Sequence, residues 1–275
     1  MKRISIYGET GSYSEQAALQ YFGGEEIRLR YCKFLPEVFE SVESTSDFGV
    51  VPIENSIEGA VTQTYDMLLQ SDLSIIGEDI VRIAHCLMAP RGVKLANLKI
   101  VYSHQQALAQ CRGYIERHGL ESIPFYDTAG SAKMLAVSGI RNAAAIASAR
   151  AAKVYGLNVL ARSIQSNSHN YTRFLIISKS GEVGNPDKTA IAFSAKNRPG
   201  SLFRALNAFA HNKVNLLYIQ SRPIPGTPWE YNFYVDCDSG IGKKRTRDAI
   251  KELYESSDFV KVLGSYKRAR FDRHA

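Results

Sequence analysis

Short apolar runs and amphipathic stretches alternate along the first 180 residues. Ile4-Ser5-Ile6 reads as a strand and residues 14–22 as a helix. Ile27 to Tyr31 and residues 36–43 repeat that pair, and Phe48-Gly49-Val50-Val51 precedes a helix over Val61 to Leu69. In this helix Val61, Tyr65, Leu68 and Leu69 recur at the spacing of a single face. A strand at Lys99-Ile100-Val101-Tyr102 leads to helices over 105–117, from Gly130 and from near Ser148. Strands follow at Leu157-Asn158-Val159-Leu160 and Leu175-Ile176-Ile177. The alternation predicts an α/β fold with largely parallel sheets. Two long extended segments, near 73–90 and 157–178, read as paired crossings between two lobes with a cleft between them.

Periodicity stops at Lys179-Ser180-Gly181-Glu182-Val183-Gly184-Asn185-Pro186-Asp187, which reads as a linker. Beyond it come a strand over Thr189 to Ala195, a turn at Asn197-Arg198-Pro199-Gly200 and a helix over 201–211. Leu202, Phe203, Leu206, Phe209 and Ala210 form that helix's apolar face. Strands over Val214 to Gln220 and Glu230 to Cys237, a helix over 243–256 and a strand over Val260 to Tyr266 complete a βαββαβ order, which is ferredoxin-like. Two domains are expected, residues 1–180 in two lobes and residues 188–275.

Composition narrows the class. A chain of 275 residues is long enough for two cores, and 45% hydrophobic with 22% charged residues is ordinary for a globular protein. No apolar run approaches a membrane span, so no membrane partner is expected. The start reads as a strand and turn rather than a signal peptide. Cys32, Cys86, Cys111 and Cys237 are scattered without a Cys-x-x-Cys, which predicts reduced thiols in a cytoplasmic protein and no metal site. The net charge of +7 points towards polyanions, but residues 1–187 are nearly neutral. Residues 188–275 carry 16 Lys and Arg against 8 Asp and Glu. Part of that excess is Lys267-Arg268-Ala269-Arg270-Phe271-Asp272-Arg273, read as a frayed, solvated tail. No nucleic-acid motif accompanies it, so no nucleic-acid partner is expected.

Polar motifs fall just after the strands, where open α/β sheets bind ligands. In Tyr7-Gly8-Glu9-Thr10-Gly11-Ser12-Tyr13-Ser14-Glu15-Gln16 the glycines allow a tight turn and Ser12 with Glu15 has capping-box spacing. The loop offers N–H groups and hydroxyls to an anion, but has neither a Walker lysine nor a full G-x-G-x-x-G. Val51-Pro52-Ile53-Glu54-Asn55-Ser56-Ile57-Glu58-Gly59-Ala60 puts Glu54 and Asn55 at the cleft mouth, or else forms an ordinary helix-start loop capped by Asn55 or Ser56. In Ser103-His104-Gln105-Gln106-Ala107-Leu108-Ala109-Gln110-Cys111, Ser103 can cap a helix on which Gln106 and Gln110 share a face. Asn167-Ser168-His169-Asn170-Tyr171-Thr172-Arg173-Phe174 sets one strong cation among neutral donors at a strand end. That set suits a small polycarboxylate; the alternative is a capped strand end facing water.

These motifs together resemble the prephenate dehydratase family along essentially the whole chain. The resemblance rests on Gly11-Ser12-Tyr13-Ser14-Glu15-Gln16-Ala17-Ala18, Pro52-Ile53-Glu54-Asn55-Ser56-Ile57-Glu58-Gly59, Ser103-His104 with Gln106, and Thr172-Arg173-Phe174. The C-terminal part resembles an ACT domain through Gly200-Ser201-Leu202-Phe203, Gln220-Ser221-Arg222-Pro223 and Trp229-Glu230-Tyr231. Gln105 stands where the family has proline, Gln220 where it has glutamate, and Phe203 where it has a smaller side chain. The resemblance implies a two-lobed, periplasmic-binding-protein-like catalytic domain followed by a ferredoxin-like ACT domain.

It also implies the decarboxylative dehydration of prephenate to phenylpyruvate in L-phenylalanine biosynthesis, with no cofactor. Thr172 is then the catalytic hydroxyl and Arg173 grips a substrate carboxylate in a bidentate fork. Phe174, Ser12, Ser14, Ser103 and Gln106 contact substrate, while Asn55 and Gln110 are neutral donors. Glu54 is either a general acid or a group that orients Asn55 and Arg173, and His104 and His169 are structural. L-Phenylalanine as effector is expected between two C-terminal domains of a homo-oligomer, dimer or tetramer, near Gly200, Ser201, Leu202, Asn215, Leu216, Gln220, Ser221 and Arg222. Arogenate, in which an amine replaces the side-chain keto group, is an alternative substrate. A non-enzymatic ligand-binding regulator is the alternative of another class.

Overall fold

The computed structural model describes residues 1–181 and 183–270. Glu182 of the expected linker and Phe271-Asp272-Arg273 of the basic tail lie outside the described residues. The first sheet begins with β1 (Lys2–Tyr7), β2 (Ile27–Cys32), β3 (Phe48–Asn55), β4 (Gly59–Ala60) and β5 (Ser74–Arg82). The second holds β6 (Cys86–Ala89), β7 (Ile100–Ser103), β8 (Glu121–Pro124), β9 (Ala143–Ala147) and β10 (Asn158–Ala161). β11 (Tyr171–Ser178) then returns to the first sheet. Helices α1 (Tyr13–Tyr21), α2 (Leu35–Ser44) and α3 (Thr62–Gln70) accompany the first sheet. Helices α4 (Gln105–Gln110), α5 (Arg112–Arg117), α6 (Thr128–Ser138) and α7 (Ala149–Tyr155) accompany the second.

The strand orders are β2-β1-β3-β11-β5 and β10-β6-β9-β7-β8. β1 runs parallel to β2 and β3, and β7 parallel to β8 and β9, as strand–helix–strand units dictate. The sheets are less parallel than the alternation predicts. β11 lies antiparallel between β3 and β5, and β6 and β10 are antiparallel to their neighbours. A chain that leaves one sheet, enters another and returns meets each sheet from the opposite direction, which reverses those strands. The two passages lie side by side: the Ile83 N–H donates to the Asn170 carbonyl at 2.8 Å.

β9, Ala-Ala-Ala-Ile-Ala, has a composition that favours helix, yet it is fully buried in the middle of the second sheet. Small side chains let helices pack closely on it, and tertiary context overrides propensity. Along β11, alternate side chains enter different cores. Phe174 and Ile176 pack with Ile4, Ile6 and the α1 alanines, while Leu175 and Ile177 pack with Val38, Phe39 and Val42 of α2.

The third sheet comprises β12 (Lys188–Ser194), β13 (Leu216–Pro223), β14 (Tyr231–Cys237) and β15 (Phe259–Tyr266), antiparallel in the order β13-β14-β12-β15. Helices α8 (Ser201–His211) and α9 (Lys244–Ser256) cover one face, burying Ala205, Phe209, Ala249 and Leu253 against Ile191, Phe193 and Val235. The other face rests on the first lobe, where Ala190, Ala192, Tyr234, Leu263 and Tyr266 share one core with Tyr65, Leu68 and Leu175. Lys261 fastens this contact. Its ammonium donates to the carbonyls of Leu68, Leu69 and Ser71 at 3.2, 2.9 and 2.6 Å, satisfying the unpaired C-terminal carbonyls of α3. The described part of the basic tail is not frayed. Lys267 bridges Gly77, the Arg268 N–H donates to Asp187 and the Ala269 N–H donates to Glu78.

Candidate active site

A cavity of about 280 Å³ lies between the first two sheets. Both lobes line it. At its edge Gly11 adopts φ +87° and approaches α7 so closely that a Cβ there would meet Ala151 Cα at 2.7 Å. Ser148 Oγ donates to the Gly11 carbonyl at 2.6 Å and Arg150 pairs with Glu15 at 2.6 Å, which ties the lobes together beside the cleft. Ser12 caps α1 by accepting the Glu15 N–H at 3.3 Å, and the Glu15 carboxylate accepts the Gly11 N–H. The first N–H groups of α1, at Tyr13 and Ser14, have no intrahelical acceptor and face the region where Ser12, Tyr13 and Ser14 line the cavity. On the opposite lobe Asp127 caps α6, accepting the Gly130 N–H at 2.7 Å, and Asp127 and Thr128 line the cavity.

Asn55, Gln110 and Thr172 meet in one directed hydrogen-bond chain. Backbone N–H groups are donors without ambiguity, so those of Ile57 and Glu58, at 3.0 and 3.1 Å, fix Asn55 Oδ1 as the acceptor. Asn55 Nδ2 therefore points the other way. It donates to Asn170 Oδ1 at 2.8 Å and shares its second hydrogen between the Tyr171 carbonyl, 3.1 Å, and Thr172 Oγ1, 3.0 Å. Thr172 accepts from Asn55, which leaves its own O–H free to donate into the cavity it lines. Asn170, fully buried, passes the polarity on by donating to Gln110 Oε1 at 2.8 Å.

Among the described residues, no lysine or arginine lines the cavity. The α1 N-terminus, whose dipole favours negative charge, opens on the cavity beside neutral donors, whereas that of α6 is already taken by the Asp127 carboxylate. Burial raises the Asp127 carboxyl above the ordinary aspartate value, against the opposing pull of the Gly130 N–H bond. Burial also lowers His85 to about 4, so its imidazole is neutral in the folded protein. The stability that depends on neutral His85 is present above pH 6.5 and lost as pH falls through about 4. Acid titration of the melting temperature is expected to show this loss in the wild type and a smaller one in His85→Phe. Equal losses in the two would contradict the assignment.

The structure places the expected site residues in two groups. Ser12, Ser14, Asn55, Gln106, Gln110, Thr172 and Phe174 line the cavity. Arg173 does not, which corrects the carboxylate clamp. Strand alternation turns it to the opposite face from Thr172 and Phe174. There it bonds Glu54 through Nε and Nη2, at 3.2 and 3.0 Å, and Glu78 and Asp236 through Nη1, at 3.2 and 2.7 Å. Glu54 is corrected as a general acid for the same reason. The register shift opposite Arg173 and Phe174 puts Ile53 and Glu54 on the outer face while Pro52 and Asn55 face the cavity. Ser103 is fully buried and donates to the Ile146 carbonyl at 2.6 Å, so it cannot meet substrate, and the cap of α4 is His104. His104 lines the cavity, as do Tyr7, Tyr13, His85, Asp127 and Thr128, which sequence reasoning passed over. Asp127-Thr128 ahead of a small-residue run was the one legible sign, as a helix cap after a strand.

In the third sheet the expected effector residues do not converge within one copy. Gly200, Ser201 and Leu202 lie at the start of α8, while Asn215 and Leu216 follow its far end, about 16 Å away by helix rise. Gln220 and Ser221 lie on β13, the edge strand that has no second neighbour among the described residues. Arg222 is engaged within the chain. Its guanidinium pairs with Asp66 of α3 at 3.1 and 2.6 Å. The four cysteines are buried and unpaired, and no described group of three or more His, Cys, Asp or Glu is arranged to hold a metal. No described helix is long and apolar enough to cross a membrane.

A two-lobed α/β cleft with neutral donors, docked to a βαββαβ domain, defines the class of small-molecule enzymes that carry a ligand-sensing module. Residues 4–182 match the family model of prephenate dehydratase, and residues 189–253 that of the ACT domain. The chain belongs to the prephenate dehydratase family. It is 41% identical to a bifunctional chorismate mutase/prephenate dehydratase of Aquifex aeolicus, over 97% of this chain and 74% of that protein. It is 39% identical to arogenate dehydratase/prephenate dehydratase 2 of Arabidopsis thaliana, described as chloroplastic, over 96% of this chain and 72% of that protein. Among solved structures, the prephenate dehydratase of Arthrobacter aurescens in complex with L-Phe superposes with a TM-score of 0.89 at 34% identity, covering 97% and 90% of the two chains.

Proposed function

We propose that this chain is a lyase that converts prephenate to phenylpyruvate, water and carbon dioxide. The observation that carries the reading is the direction of the Asn55–Thr172 bond. Because Thr172 accepts from Asn55 Nδ2 at 3.0 Å, its proton is presented to the cavity. Aromatisation drives the elimination. The bond from ring to carboxylate breaks, its electron pair enters the ring, and the hydroxyl leaves with the pair of the carbon–oxygen bond, becoming water with a proton from solvent. Negative charge therefore moves onto the departing oxygen. Donors fixed in advance, Thr172 and the Gln110 amide, stabilise that charge without reorganising. The helix N-terminus of α1 holds a substrate carboxylate, and Ser12, Ser14, Gln106 and Phe174 shape the pocket.

The assay is conversion of prephenate by the purified protein, followed by phenylpyruvate absorbance. Arogenate is tested alongside it, because Asp127, the one carboxylate among the described residues that line the cavity, can pair with an ammonium group. Turnover of arogenate alone would shift the reading to arogenate dehydratase. Binding of both without turnover would leave a ligand-binding regulator.

Regulation follows from the ACT domain. The exposed edge of β13 suits pairing with β13 of a second copy in a dimer or tetramer. Such pairing brings the α8 start of one copy towards Asn215 and Leu216 of another, forming a site for L-phenylalanine. Gln220 is held by its neighbours: Oε1 accepts from the Tyr218 hydroxyl at 3.3 Å and Nε2 donates to the Ser221 carbonyl at 2.9 Å. Calorimetry on the intact protein is expected to show heat on adding L-phenylalanine, with a fall in turnover. An effector shifts only the states it binds unequally, so heat without a change in rate would remove it as an inhibitor. No heat and an unchanged rate at millimolar concentration would make the domain an assembly module.

A further inference from the structure

We propose that His85 is a positioning residue: its imidazole fixes which way the Gln110 amide points, and so presents the amide N–H groups to the cleft. The inference rests on the dehydratase reading for its effect on rate, though not for its geometry. His85 stands at the crossing from β5 to β6 and is 3% exposed. Its Nε2 lies 3.0 Å from Gln110 Oε1. The same Oε1 accepts from Asn170 Nδ2 at 2.8 Å, and that donor is settled because Asn170 Oδ1 already accepts from Asn55. The atom of Gln110 facing His85 is thus an oxygen, and His85 must donate to it through a protonated Nε2.

Nδ1 is then left with a lone pair. The Tyr13 hydroxyl lies 3.2 Å from Nδ1 and donates to the Ala84 carbonyl at 3.0 Å, so with Nε2 protonated its one proton is shared between these two acceptors. The Tyr13 ring meets the imidazole edge-on, with centroids 5.7 Å apart, and keeps it from rotating. With two donors on Oε1, a flipped Gln110 would oppose N–H groups on both sides and leave two buried donors without an acceptor, a costly arrangement. Gln110 Nε2 is consequently held outward, within 3.5 Å of Glu58 Oε1 and beside the cavity. His85 touches neither end of the reacting bond in this scheme; it acts through Gln110.

The test is a double-mutant cycle on the full chain. His85→Phe keeps the ring and loses the donor, and is expected to lower kcat about 30-fold with KM moved less than about threefold. His85→Gln, whose amide can donate to Gln110, should restore kcat to within about fivefold of wild type. In a Gln110→Ala background, His85→Phe should cost less than about twofold more, because the group it orients is gone. Additive losses, or no rescue by glutamine in a protein that melts like the wild type, would overturn the inference. Nitrogen NMR of the imidazole judges the geometry without turnover. A neutral ring protonated at Nε2 is expected in the wild type, with a changed signal in Gln110→Ala. A wild type inactive on both substrates defeats the dehydratase reading, whereas an Nδ1-protonated ring defeats this one.

Discussion

Thr172→Ala is expected to lower kcat about 100-fold or more while KM moves less than about threefold. The hydroxyl accepts from Asn55 and so can donate only outward, into the cavity. A bond to an oxygen that becomes anionic strengthens as the reaction proceeds, so its loss appears in turnover rather than in binding. Thr172→Ser, which retains the hydroxyl but frees its rotation, should fall between the two. Steady-state kinetics on folded variants decides it: turnover within a few-fold of wild type in the alanine variant would take Thr172 out of the mechanism. The packing cost is small, because Thr172 lies at the end of β11, where its neighbours Asn55 and Val81 are held by both adjoining strands.

Arg173→Met is expected to destabilise the protein by about 3–5 kcal/mol, since it strands buried carboxylates. A loss of that size lowers the melting temperature by roughly 10 °C. Arg173 stands between the first lobe and the third sheet, 12% exposed at its side chain, bridging Glu54 and Glu78 to Asp236 of β14. Lys188 of β12 adds a second cation, 2.7 Å from Glu78 and 3.0 Å from Asp236. Burial alone would raise the Asp236 carboxyl, but Arg173 and Lys188 together hold it below the ordinary aspartate value. Its share of stability is therefore present above the unfolded aspartate value and is lost as pH falls through the lower folded one. The Arg173 guanidinium also lies 5.4 Å from the Tyr218 ring centroid, on the strand that carries Gln220. Arg173→Lys keeps one charge but not the fork, and should lose less stability than Met. In both variants KM for substrate should stay within about threefold at temperatures where the protein is folded. A tenfold rise in KM with an unchanged melting temperature would return Arg173 to the substrate site.

The contrast between these neighbours shows what the amino-acid order can and cannot disclose. Strand and helix periods placed most elements, the βαββαβ order and the two crossings, because burial of one face imposes a local period on the chain. Cleft residues next to glycine turns and helix caps, such as Ser12 and Asn55, were legible because the turn chemistry that exposes them is itself local. β9 was not legible: four alanines and one isoleucine carry little strand signal until two helices and two strands enclose them. The opposite facing of Thr172 and Arg173 follows from alternation. Which face met substrate depended on the third sheet covering the other side, a contact between residues 63 positions apart in the chain, Arg173 and Asp236. His85 was hidden for the same reason. It is unremarkable beside its sequence neighbours and gains meaning only when the fold carries Gln110 to it, whereas Asp127 showed itself as a helix cap but not as part of the cleft. Local order set the elements; desolvation and long-range packing decided which polar groups face each other, and with that the chemistry.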